Sequence, residues 1–131
     1  MKKIKHNGYI IVNLDIYVKD LMFFVGDPEV LLDKLDRYFV FADEVIEDIK
    51  EDFKITSKGK TIITKENQTL IWIPKLPETP MDFCYLQHEI FHATTMILTA
   101  SGLKLTDESD EAYAYLLGYI TRKIYESLPN F

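Results

Sequence analysis

Residues 79–102 carry the signals for both ends of a long helix, and no other segment constrains the chain as strongly. Thr79 is an N-cap residue, Pro80 suits the first helical position, and Asp82 adds an acid in the first turn. Ser101-Gly102 supplies the stop, so the spacing predicts a helix from Pro80 to about Ala100. Phe83, Ile90 and Ile97 repeat every seven residues with Leu86 among them, which gives this helix one side to bury. A last helix is predicted to begin within Thr106-Asp107-Glu108-Ser109-Asp110-Glu111, whose acids complement the positive end of a helix dipole. Arg122 and Lys123 lie toward its other end, and Pro129 closes it.

The first half reads as strands around a helix. From Tyr9 to Val18 the even positions are apolar, while Asn13 and Asp15 are polar, which predicts a period-2 strand with one buried face. Leu21-Met22-Phe23-Phe24-Val25 is a second apolar run, and Asp27-Pro28 then opens a helix near residues 28–39. An acidic helix is expected from Ala42 to Asp52, with a solvated face. Thr61–Thr64 and Thr69–Ile73 form a hairpin signal, and Pro74 after the second run points to a sheet edge. The expected fold is α+β: a small, mostly antiparallel sheet with an N-terminal helix, then two packed helices.

Composition sets the class. At 131 residues with 47% hydrophobic residues and no repeat or flexible linker, residues 1–131 read as one globular domain. A net charge of −6 argues against a nucleic-acid backbone as partner, because such a chain gains little from counterion release. No apolar run approaches the roughly 20 residues of a membrane helix, and no signal peptide is indicated. The single cysteine, Cys84, makes no internal disulfide, which fits a reducing, cytoplasmic setting. It precedes His88 by one turn and is expected to be a small buried hydrophobe.

Chemistry concentrates in His88-Glu89-Ile90-Phe91-His92, an H-E-x-x-H pattern inside the predicted helix. Side chains four apart lie one turn above each other, so His88 and His92 can present imidazole nitrogens to one zinc ion. Glu89 projects beside them, where a carboxylate can deprotonate a water on the metal. Zinc sites of this kind use a third protein ligand. The third histidine, His6, is read as a surface residue, so the acids Asp107, Glu108, Asp110 and Glu111 are the candidates. Glu111 is favoured because Ala114 and Gly118 share its face, and small residues let two helices approach closely. Glu108 is next, with Asp107 and Glu108 also candidates for the outer coordination shell.

His88-Glu89-Ile90-Phe91-His92, followed after a spacer by Glu111-Ala112-Tyr113-Ala114-Tyr115-Leu116-Leu117, resembles the gluzincin class of zinc metallopeptidases. The Glu-Ala start is similar to the corresponding helix of ImmA/IrrE-type metallopeptidases, and the stretch resembles short proteins of phages and mobile elements. The resemblance spans about residues 80–125 and the strand before them. It implies a zincin-like fold, one zinc per chain on His88, His92 and Glu111, and Glu89 as general base in peptide or protein hydrolysis. It also implies that Leu70, Ile71, Trp72 and Ile73 form an edge strand that binds an extended substrate by β-addition. The chain departs from thermolysin-like enzymes at Tyr115, where those carry an acid that supports a ligand histidine. Tyr113, Tyr115, Tyr119 and Arg122 are the available oxyanion donors.

Overall fold

The computed structural model describes residues 2–17, 19–38, 58–63 and 68–131 with Glu47, Lys50 and Glu51, and of residues 36–38 the backbone alone. Of the acidic helix expected over 42–52 only Glu47, Lys50 and Glu51 are described, and of the hairpin connection expected over Lys65-Glu66-Asn67-Gln68 only Gln68 is. Four strands, β1 (Gly8–Leu14), β2 (Lys19–Val25), β3 (Lys60–Ile63) and β4 (Thr69–Ile73), form one sheet in the order β1-β2-β4-β3. The described helices are α1 (Pro28–Tyr38), α2 (Pro80–Ala100) and α3 (Asp110–Ser127). The architecture is therefore α+β, as expected, but the sheet is mixed: β1–β2 and β3–β4 are antiparallel, whereas β2 and β4 run parallel.

This order corrects the placement of β4. It is not an edge strand but lies between β2 and β3, and Leu70, Ile71, Trp72 and Ile73 are all buried. The physical reason is two-sided burial. Leu70 and Trp72 pack with Met22, Phe24, Leu31 and Leu35 on the α1 face. Ile71 and Ile73 pack with Phe23, Val25, Leu86 and Ile90 on the other. A strand apolar on both faces is stable only where both are covered, which is a central position. Pro74 falls just past the last paired residue, so its missing N–H costs the ladder nothing. The described edges are β1 and β3.

The first strand is also shorter than its alternation suggested. It ends at Leu14, and a 3₁₀ turn over Asp15–Tyr17 leads into β2. Val12 and Leu14 point into the core as predicted, but Ile16 lies on this turn and is 88% exposed.

The long helix forms as its ends dictate. The Thr79 hydroxyl accepts the Asp82 amide at 3.1 Å, and the Asp82 carboxylate accepts the Thr79 and Glu78 amides at 3.1 and 3.0 Å. This reciprocal box satisfies amides that the first helical turn leaves unpaired. Those two backbone hydrogen bonds hold the Asp82 carboxyl below its ordinary range, with Lys75 adding a weaker pull. Leu86, Ile90, Ala93, Ile97 and Leu98 are buried against the sheet and α3. α3 runs antiparallel to α2 across this core, with Gln87 donating to Thr121 at 3.0 Å and Tyr125 donating to Gln87 at 3.1 Å.

Candidate functional site

His88 and His92 are both exposed on α2, and their rings converge. The two Nε2 atoms are 2.9 Å apart, with ring centroids at 4.5 Å and planes at 84°. At that separation one ring donates its N–H to the other. Tetrahedral zinc at a typical Zn–N length sets two ligand nitrogens about 3.3 Å apart, so the pair fits two positions of such an ion with little movement. The arrangement follows from i, i+4 spacing alone and needs no distant residue.

Glu89 is turned toward the sheet. The Thr61 hydroxyl lies 2.8 Å from its Oε1 and 2.9 Å from its carbonyl oxygen, and its one proton goes to either acceptor. Thr61 sits on the edge strand β3 and is only 5% exposed, so the strand fixes one end of this bond and the helix the other. Gly59 makes the approach possible. Its φ is +147°, and a Cβ there would come within 3.2 Å of Glu89 Cγ and 3.1 Å of the Trp72 carbonyl oxygen. Neither Thr61 nor Gly59 stood out in the sequence. A threonine in a β-rich run carries no local sign of the helix it will meet.

The acids of the 107–111 segment do not join the histidines. Among the described residues, no group of three or more His, Cys, Asp and Glu side chains is placed to hold a metal ion. Asp107, Glu108, Asp110 and Glu111 are all exposed. The expectation that Ala114 and Gly118 pack against α2 is the part that fails. Both are exposed, and a Cβ on Gly118 would meet nothing within 4 Å. The face shared by Glu111, Ala114 and Gly118 looks outward, while Leu116, Ile120 and Ile124 make the inward one. Displacement along the axis adds to this. Gln87 pairs with Thr121, so Glu111, ten residues earlier on α3, lies about 15 Å along the helix from that level.

The other candidates have separate tasks. Tyr113 is buried and donates to the Leu103 carbonyl at 2.7 Å, and Tyr119 donates to the Asn13 carbonyl at 3.1 Å. Tyr115, Tyr119 and Arg122 line a groove with the Asn13–Tyr17 turn, and no α2 residue lines it. Arg122 pairs with Glu126 at 2.9 Å. Cys84 is exposed, not buried: it falls on the outward stripe that holds His88 and His92 at four-residue intervals. His6 is a surface residue whose Nε2 lies 3.3 Å from Asp27. No helix among the described residues is long and apolar enough to cross a membrane. Compared with models of known families, with curated proteins and with solved structures, the chain matches none.

Proposed function

We propose that the protein is a zinc-dependent hydrolase acting on a peptide or protein, with His88 and His92 as metal ligands and Glu89 as general base. The observation that supports it best is the convergence of the two Nε2 atoms at 2.9 Å, on the helix that also carries Glu89. A zinc ion held there supplies Lewis acidity toward a scissile carbonyl. Glu89 takes the proton of the attacking water and passes it to the leaving amine. When the Thr61 hydroxyl donates to Oε1, the other carboxylate oxygen is left for that transfer. β3, an edge of the sheet among the described residues, and not β4, is the strand on which an extended substrate adds by main-chain hydrogen bonds. Glu111 has no part in this assignment, and neither do Glu108 and Asp107.

A metal-dependent binding module without turnover is the competing function. The outward orientation of Glu111 favours it, since two histidines leave coordination positions for groups of another molecule. Hydrolysis of unfolded casein or a peptide library separates the two. Zinc-dependent cleavage lost in Glu89→Gln, with zinc retained, supports the hydrolase. Zinc-dependent capture of peptide without cleavage, equal in wild type and Glu89→Gln, supports the module.

A further inference from the structure

The outward face of α3 carries a pattern that is left exposed among the described residues. Glu111, Tyr115, Gly118 and Arg122 follow one another at intervals of four, three and four residues, the spacing of a helix-pairing seam. All four are exposed, Tyr115 at 75%. Gly118 stands in the middle of the helix, where glycine is less favourable than alanine, and no neighbour among the described residues requires the missing side chain. Tyr115, Gly118 and Arg122 also line a groove of about 810 Å³ between α3 and the end of β1 with the Asp15–Tyr17 turn, where Ile16 is exposed.

We propose that this face pairs two copies of the chain, α3 against α3, antiparallel about a two-fold axis midway between Tyr115 and Gly118. Read in reverse, the seam is its own complement. The axis sets Glu111 of each copy against Arg122 of the other, and Tyr115 of each against Gly118 of the other. Charge meets opposite charge at both ends, and the large ring lies over the position that lacks a side chain. A parallel register sets Glu111 against Glu111 and Tyr115 against Tyr115, which repels at one end and leaves a gap at Gly118. This match of the seam to its own reverse order argues for a second copy over an unrelated protein. The exposed Arg122–Glu126 pair within the helix is weakly held and leaves guanidinium donors for the partner. The histidine pair lies on another helix and takes no part.

Sedimentation velocity of the full chain tests the pairing, with a chelator present so that no metal bridges the exposed histidines. Wild type should associate as a dimer with a Kd on the order of 10–100 μM. Glu111→Arg and Arg122→Glu should each weaken it at least about tenfold while the helical circular dichroism stays unchanged. An equimolar mixture of the two variants should regain dimers, because one copy then carries only basic and the other only acidic seam ends. Gly118→Leu should raise thermal stability, since leucine is the better helix former, yet lower dimerisation. A wild type that stays monomeric to about 500 μM overturns the proposal. So does a single variant that associates as well as wild type, or a mixture no tighter than its components.

Discussion

The outward side of α2 and the first turn of α3 both carry side chains suited to a metal, but only α2 gathers its own. His88 and His92 meet because one helical turn separates them, a distance the backbone fixes before any tertiary contact forms. Glu111 needed two further conditions: the right axial level and an inward face. α3 meets neither, since its inward stripe is the apolar set Leu116, Ile120 and Ile124, and its small residues look outward. A coordination pair set by one helix is thus robust, whereas a ligand supplied across a helical pair depends on packing that core residues decide. Glu89 shows a third case. Its helix sets its position, and a strand nearly thirty residues earlier sets its direction through Thr61.

Perturbations that separate these contributions have distinct sizes. The largest belongs to Glu89: replacing it with Gln should lower any zinc-dependent peptide hydrolysis about 10²–10⁴-fold while zinc content is unchanged, measured by peptide turnover and elemental analysis. Thr61→Val should come next, lowering that hydrolysis about tenfold through loss of one hydrogen bond to a carboxylate, with Thr61→Ser restoring most of it. A Thr61→Val variant that instead loses zinc would place the strand in the metal site itself. Thr79→Ala removes the N-cap acceptor and should destabilise the fold by about 1 kcal/mol in denaturant unfolding, leaving the histidine pair intact.

The smallest effect concerns pH. The Asp82 carboxyl is held below its ordinary value of 3.8 chiefly by the Glu78 and Thr79 amides, so folding favours its ionised form. Its contribution is therefore complete above pH 4 to 5 and is lost as pH falls through the depressed folded value. Acid unfolding of Asp82→Asn should show a shallower loss of stability below about pH 4 than wild type. Equal slopes for the two would show that the capping bonds survive protonation.

Local signals were legible in the sequence and non-local ones were not. The capping box at Thr79 and Asp82, the buried stripe of Leu86, Ile90 and Ile97, and the histidine pair all follow from spacing within one helix. The parallel pairing of β2 with β4 joins segments more than forty residues apart, and no turn chemistry announces it. A signal for the central position of β4 was present. Leu70-Ile71-Trp72-Ile73 is apolar on both faces, as a strand covered on both faces requires, and that outweighs a proline lying beyond its end. Ile16 and Cys84 were misplaced for a related reason. Hydrophobic pattern assigns a residue to a face but does not detect the 3₁₀ turn that carries Ile16 out of the strand. Nor does it show that the Cys84 stripe of α2 is exposed among the described residues, although His88 and His92 share that stripe.

Zinc titration by calorimetry on wild type, His88→Ala, His92→Ala and Glu111→Gln tests the site most directly. Wild type should bind about one zinc per chain, and either histidine variant should bind about a hundredfold more weakly or not at all. Glu111→Gln should match wild type within about twofold, since its carboxylate faces away from the pair. A wild type that binds no zinc, or a Glu111→Gln variant that loses it as fully as His88→Ala, would contradict the assignment of the metal to the two histidines of α2.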